Sequence, residues 1–313
     1  MQPAPPKPHE PAPALPRLTT TVPREYVHRA CLAEVFLTGC TQQSETRFAL
    51  SGQWPRAHTF FQSADGTAHD PLLTAETFRQ AGLFLAHAEL GVPLGHHFVM
   101  WELAFTTDPD RLHIGPRPTD IELTATCTDI TRRAGRATGF RMELSIRRDG
   151  QAIAAGGGRF TVITPAVYHR LRGTHPTPDT STLRQIPRET MPPTAVGRAR
   201  NTDVVLSPTD TPHRWLLTPD PTHPVLFDHT GDHHPGMVLL EAARQAACAL
   251  VTPMTVTPSA ITTAFHRYAE LDQPCHIEAT LAPTQEHHQV TVNVTGHQNG
   301  ALVFTSQLTG PLH

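Results

Sequence analysis

The chain has little of several things that would settle its class at once. Lysine is nearly missing: of 25 basic residues only Lys7 is a lysine, the rest being arginine. Charge of one sign is missing too. The formal net charge is −3, and the lack of an electropositive field argues against a nonspecific nucleic-acid binder. No run approaches the roughly 18 uninterrupted apolar residues of a membrane helix, so no membrane partner is expected. Cys31, Cys40, Cys127, Cys248 and Cys275 include no Cys-x-x-Cys pair. That excludes the usual zinc and redox spacings and points to reduced thiols in a cytoplasmic protein. The amino terminus lacks the charged, then apolar, then small-residue layout of a secretory signal. Aromatic residues are only 6% of the chain, which predicts a mainly aliphatic core.

What is present is 38% hydrophobic residue in 313 positions, too apolar for a disordered chain and enough for two average domains. Residues 1–21, rich in Pro and Ala, read as an extended disordered arm. The excess of arginine over lysine is composition bias at most positions, so only arginines in special places carry an argument.

The sequence also repeats itself. Residues 27–38 match 196–207 at an offset of 169, with Val27, Arg29, Ala30, Val35 and Leu37 recurring identically. Further on the offset is 165: His58 faces His223, Gly66 faces Gly231, and His69 faces His234. Glu76-x-x-Arg79-Gln80-Ala81 then faces Glu241-x-x-Arg244-Gln245-Ala246. This gives two homologous halves, 22–165 and 195–313, joined by a linker, 166–194, rich in Pro, Thr and Arg. Each half starts with a strand (32–38; 202–206), passes through a polar loop, and enters one long helix. Asp70-Pro71 supplies an N-cap and a proline at N1, and Gly91 closes the first helix. The second helix starts near Pro235-Gly236 and ends before Pro253. β-rich runs follow: 97–105, 120–130, 137–147 and 151–163 in one half; 261–269, 275–283, 288–295 and 301–308 in the other. Asp149-Gly150 and Asn299-Gly300 mark type I′ hairpins. One strand, one helix and an antiparallel meander make an α+β domain whose helix is wrapped by a curved sheet, the layout of a hotdog domain, here present twice.

Both helices are apolar or small on nearly every face, and such helices are buried. Glu76, Arg79 and Gln80, like Glu241, Arg244 and Gln245, are polar at spacing i, i+3 and i+4, on one face each. Two readings stand side by side. The trio is a self-satisfied buried ion pair, or it is a carboxylate tuned for acid–base work beside an Arg fork for phosphate or an oxyanion. Ahead of the second helix, Asp228, His229, Asp232, His233 and His234 lie within seven residues. No scaffold converges them as a metal site requires, so no metal is expected, and a His aimed at a buried Glu across an interface is the better use. Gly236 would present free N–H groups at the helix start. His234 corresponds to His69, whereas His229 corresponds to Ala64, so one site is expected to work and its pseudo-symmetric partner to be degenerate.

The motifs Val27-His28-Arg29, Asp70-Pro71 through Arg79-Gln80, Val196-Gly197-Arg198, and Asp232-His233-His234-Pro235-Gly236 through Arg244-Gln245 together resemble the AfsA (A-factor synthase-type) family of γ-butyrolactone autoregulator biosynthesis. The resemblance covers nearly all of residues 22–310. More distantly, His229, Pro235-Gly236 and Glu241 look like the His loop, helix start and helix Glu of hotdog dehydratases, with a shorter segment between His229 and Gly236. The resemblance implies acyl transfer: a β-ketoacyl group passes from the phosphopantetheine thioester of an acyl carrier protein to the hydroxyl of dihydroxyacetone phosphate. It requires no metal or redox cofactor. Glu76 and Arg244, then Glu241, Arg79 and His229, are the expected catalytic residues. Gly236, His234, His69, Gln80 and Gln245 are the expected substrate-binding ones. A buried Glu would take the hydroxyl proton, helix N–H groups would hold the oxyanion, and an Arg would grip phosphate. Arg132, Arg133, Arg136, Arg147 and Arg148 are candidates for docking the acidic carrier. A hotdog dehydratase or thioesterase, and a non-catalytic double hotdog that binds an acyl ligand or partner, are the alternatives. The fused pair is expected as a monomer (a pseudo-dimer) or a homodimer.

Overall fold

The computed structural model describes residues 19–173, 189–229, 231–283 and 288–313. The Pro/Ala arm and the centre of the linker therefore lie mostly outside the described residues.

In the first half β1 (Leu37–Gln42) and β2 (Arg47–Trp54) precede the helix α1 (Pro71–Ala88), and β3 (His97–Thr107), β4 (Thr119–Arg133), β5 (Arg136–Arg148) and β6 (Gln151–Ile163) follow it. A short helix, α2 (Pro165–Arg172), comes next. The second half repeats the pattern with β7 (Leu206–Pro208), β8 (Arg214–Leu217), α3 (Gly236–Val251), β9 (Ala260–Phe265), β10 (His276–Ala282), β11 (Gln289–Gln298) and β12 (Ala301–Pro311). Among the described residues the strands form one antiparallel sheet in the order β1-β2-β4-β5-β6-β3-β9-β12-β11-β10-β8-β7. That order is a palindrome: each strand of one half occupies the place of its repeat in the other. The halves join where β3 pairs β9, with Glu102 opposite Ala264 and Thr106 opposite Ala260. Each half is a hotdog domain, and the molecule is a double hotdog.

The local reasons are visible in the chain. Asp70 caps α1 by accepting from Leu72 N at 2.8 Å, and Pro71 occupies N1. Asp149-Gly150 and Asn299-Gly300 all have φ between 50° and 75°, which the two central residues of a type I′ turn require. From Pro71 to His87 every residue except Arg79 is buried, and from Met237 to Cys248 every residue is. No helix among the described residues is long and apolar enough to cross a membrane.

Two expectations need correction. Leu32–Glu34 and Asn201–Asp203 are 3-10 turns, and the strands begin only at Leu37 and Leu206. The extended backbone between turn and strand finds its partner in a glutamine side chain instead. Gln80 Oε1 accepts from Phe36 N at 2.9 Å and its Nε2 donates to Glu34 O at 2.7 Å. Gln245 repeats this with Val205 N and Asp203 O at 2.9 and 2.7 Å. Second, the polar loops contain β2, whose buried positions alternate with mostly exposed polar ones, and β8, where buried Trp215 and Leu217 alternate with half-buried Arg214 and Leu216. The core is mainly aliphatic, as expected, and its aromatic residues gather in the first half. Trp54, Phe36, Phe48, Phe60, Phe61, Phe78 and Phe140 are fully buried in the first half, against Phe304 in the second.

Candidate active site

Each long helix carries one ionised cluster. Glu76 accepts from Arg29 Nε at 3.0 Å, from Arg79 Nε and Nη2 at 2.9 Å each, and from Gln80 Nε2 at 2.8 Å, with Arg29 Nη2 paired to it at 2.7 Å. Glu241 accepts from Arg198 Nε and Nη2 at 2.7 and 2.5 Å, from Arg244 Nε and Nη2 at 3.0 and 2.8 Å, and from Gln245 Nε2 at 2.5 Å. Burial alone would raise both carboxyl pKa values, but the paired guanidiniums outweigh it and hold each at about 2. The clusters also lock the halves together: Arg29 Nη1 donates to Val225 O at 3.0 Å, and Arg198 Nη1 to Phe60 O at 2.7 Å.

The surroundings of the two clusters differ. At the 165 offset Asp70 corresponds to Pro235. Asp70 Oδ2 lies 3.3 Å from Arg198 Nη1 and 3.7 Å from Arg244 Nε, closing the Glu241 cluster with a second carboxylate. Arg244 is 6% exposed, and Glu241 and Asp70 raise its pKa against the burial that would lower it. Around Glu76 the side is open. Arg79 is 20% exposed, has no carboxylate besides Glu76 within 4.0 Å among the described residues, and donates its third bond to Val27 O.

Arg79 opens into a cavity of about 410 Å³ between the halves. Its lining includes the apolar Leu83, Leu103, Phe160, Leu240 and Phe265 together with the polar His28, Arg29, Arg79, His229 and His233 and the start of α3. A second cavity, of about 160 Å³, lies beside Arg198, and Ser63 and Ala64 in its lining correspond to Asp228 and His229. Asp232 and His233 likewise correspond to Thr67 and Ala68. The polar equipment is thus concentrated on one side.

The start of α3 is held but not capped. Among the described residues no side chain accepts from its first N–H groups, and Gly236 is exposed at the cavity. The loop before it is pinned by α2: Tyr168 Oη donates to Asp232 at 2.6 Å, and Arg172 donates to Asp232 at 2.9 Å and to Glu270 at 2.6 and 2.7 Å. His233 Nδ1 lies 2.6 Å from the same Asp232. Asp228 accepts from Ala30 N and Cys31 N at 2.6 and 3.1 Å, which fixes His229 next to the first half.

A family model described as the A-factor biosynthesis hotdog domain matches residues 12–164 and again 179–312. The chain belongs to the AfsA hotdog family. Among curated AfsA relatives, one from Streptomyces virginiae is 48% identical over 288 residues, covering 92% of this chain and 97% of that one. Relatives from Streptomyces coelicolor and Streptomyces griseus are 40% and 41% identical, covering 93% and 92% of this chain and 91% and 94% of theirs. All three are named 2-oxo-3-(phosphooxy)propyl 3-oxoalkanoate synthase. Among solved structures, the 12:0-ACP thioesterase from Umbellularia californica matches with a TM-score of 0.51 at 9% identity, covering 85% of this chain and 94% of that one. An acyl-ACP thioesterase from Bacteroides thetaiotaomicron matches at 0.50 and 10%, covering 87% and 100%. These two share the fold.

In this AfsA-family chain the residues singled out from sequence fall into separate groups. Arg79, His229, His234 and Gly236 line the large cavity, with Glu76 and Gln80 directly behind Arg79. Glu241, Arg244 and Gln245 form the other cluster, so Glu76 and Arg244 are not partners. His69 sits apart, with Nε2 3.2 Å from Thr119 Oγ1 and its ring edge-on to Trp54; burial lowers its pKa to about 4. Arg147 and Arg148 donate to the carbonyls of Gly150 and His113. Guanidinium and glutamine donors already occupy both oxygens of each carboxylate, so the geometry gives Glu76 and Glu241 the work of anchors. Sequence reasoning passed over Arg29 and Arg198 as second partners, although both stand inside the repeated Val-x-Arg-Ala segment that revealed the duplication.

Proposed function

We propose that the chain transfers a β-ketoacyl group from the phosphopantetheine thioester of an acyl carrier protein to the hydroxyl of dihydroxyacetone phosphate, giving a 2-oxo-3-(phosphooxy)propyl 3-oxoalkanoate. The observation that carries this reading is the cavity of about 410 Å³, whose lining combines apolar side chains with the cationic Arg79. Such a space suits an acyl chain and a phosphate at once. The product named for the close relatives contains both parts.

In this reading the acyl chain lies along Leu83, Leu103, Leu240 and Phe265. The thioester carbonyl oxygen points at the uncapped N–H groups of Gly236 and Met237, which are donors aligned with the α3 dipole. Arg79, whose Nη1 has no protein partner among the described residues, takes the phosphate together with His229. Glu76 and Arg29 hold Arg79 in place, because the carboxylate occupies the Nε and Nη2 donors and leaves Nη1 outward. The hydroxyl oxygen attacks the thioester carbon, the C–S bond breaks, and the hydroxyl proton ends on the released thiol. The Glu241 cluster, closed by Asp70, is structural.

The test is mass spectrometry of purified protein incubated with a β-ketoacyl carrier-protein thioester and dihydroxyacetone phosphate. A phosphorylated keto ester is the expected product. Free keto acid alone would make the protein a thioesterase, and saturable binding without turnover would make it an acyl-ligand binder; either result overturns the reading.

A further inference from the structure

His28 stands where its repeat has Gly197. Both cap the 3-10 turn before the repeated arginine in the left-handed region, His28 at φ 52° and ψ 53°, Gly197 at φ 66° and ψ 34°. Glycine takes that conformation freely, whereas a residue with a β-carbon is strained in it. The first half therefore keeps a side chain at a position whose backbone favours none, and that side chain lines the large cavity.

Its hydrogen bonds define its tautomer. His28 Nε2 lies 2.9 Å from His87 Nε2, and His87 Nδ1 lies 2.8 Å from Val92 O. A carbonyl only accepts, so a neutral His87 carries its proton on Nδ1 and accepts at Nε2. His28 must then donate from Nε2, which leaves its Nδ1 as a lone pair with no protein partner among the described residues. Tyr26 stacks on His87 at 5.8 Å, and Phe98 stands edge-on to both imidazoles at 5.4 and 5.2 Å, so neither ring is free to turn. The pair exists on one side only: His87 corresponds to Thr252, whose hydroxyl donates to the Ala195 and Cys248 carbonyls.

Resting on the transfer reaction proposed above, we propose that His28 is the base that removes the proton from the acceptor hydroxyl, with His87 as its positioning partner. The hydroxyl proton moves to His28 Nδ1 while the oxygen bonds to the thioester carbon. His87 Nε2 accepts from the resulting imidazolium, and the proton passes from Nδ1 to the thiolate when the C–S bond breaks. No electrons are gained or lost. The charged and titratable groups facing His28 are Arg79 and His87 from α1, His229 from the loop before α3, and His97 from β3. Burial first, then Arg79 and these histidines, hold its pKa at about 3, so the lone pair is available at neutral pH. A phosphate dianion docked on Arg79 would offset that guanidinium, the second cause after burial, and so raise the basicity of His28 as the substrate arrives.

The test is His28→Gly in the full chain, with the wild type assayed in parallel. Glycine matches the backbone, so the melting temperature should hold or rise. The kcat should fall at least about 100-fold with little change in KM for dihydroxyacetone phosphate, and added imidazole should restore part of it. His28→Asn, which also tolerates the left-handed region but has no basic nitrogen, should lose the same activity without rescue. Nitrogen-15 NMR of the wild type should show His28 protonated on Nε2 and bare on Nδ1. If the wild type forms the ester and His28→Gly keeps more than a third of its kcat, or loses it only through KM, the base is another group. If the wild type forms no ester, the reaction reading fails and this assignment falls with it. The NMR result reports on the tautomer independently, and a proton on Nδ1 rules the base out.

Discussion

Asp70 caps the start of α1 with one carboxylate oxygen and with the other approaches Arg198, a residue of the opposite half, to 3.3 Å. One side chain therefore ends a helix and neutralises a buried guanidinium across the junction. Replacing it with Ala removes both roles, and chemical denaturation should show a loss of about 3 kcal/mol or more. Asn keeps the cap and isolates the charge, so Asp70→Asn should recover only part of the loss. An Asn variant as stable as the wild type would show that the Arg198 contact contributes nothing.

The two clusters differ in exposure, and Arg→Lys substitutions should separate them. Lysine cannot reproduce a guanidinium fork. At Arg79, which opens on the cavity, Lys should raise KM for dihydroxyacetone phosphate by about tenfold or more. At Arg244, bonded to Glu241 and Val196 O and close to Asp70, Lys should lower stability by about 3 kcal/mol and leave KM near its wild-type value. Steady-state kinetics with urea titration of both variants would expose a reversed pattern, which would exchange the roles assigned to the clusters.

Acid stability follows from two sets of groups. Burial lowers His28 and His69 from the usual 6.5 to about 3 and about 4, so the unfolded chain binds protons that the folded one refuses. Stability from these groups is complete above pH 6.5 and declines as pH falls below it. Glu76 and Glu241, lowered from 4.5 to about 2, add a second loss below about pH 4.5 of the same sign. Urea midpoints should therefore fall between pH 7.5 and 5.5, and more steeply below 4.5. Equal midpoints at 7.5 and 5.5 would contradict the histidine assignment.

Gly82, inside α1, faces the Phe160 ring so closely that an added Cβ would lie 2.7 Å from its tip. Phe160 is buried and stacked on Phe140 at 5.0 Å, so it has little room to retreat. Alanine favours the helix but overpacks this contact, and Gly82→Ala should cost about 1–3 kcal/mol. A stabilised variant would mean the ring shifts freely, and the acyl wall of the cavity would then be soft.

Much of the architecture was legible because it depends on local pattern or on self-comparison. The capped α1, the type I′ turns at Asp149-Gly150 and Asn299-Gly300, and the Glu-x-x-Arg-Gln trios all rest on spacings within one element. The turns at Leu32–Glu34 and Asn201–Asp203 were not legible, since the partners that hold the following backbone are Gln80 and Gln245, 44 and 40 residues away. Nor was β2, whose Phe48, Leu50 and Trp54 alternate with polar residues too briefly to stand out from a loop.

The sequence by itself determined that one domain occurs twice, that a buried Glu, Arg and Gln recur on each helix, and that the halves differ at His229 and Ala64. Only the tertiary structure decided which groups meet. It brought Arg29 to Glu76 and Arg198 to Glu241, turning expected bases into anchors, because a carboxylate's basicity depends on the cations that surround it in space. It also set Asp70 against one cluster and left the other open to a cavity. Burial and proximity across separations of 43 to 174 residues arise from packing, and no spacing along the chain encodes them directly.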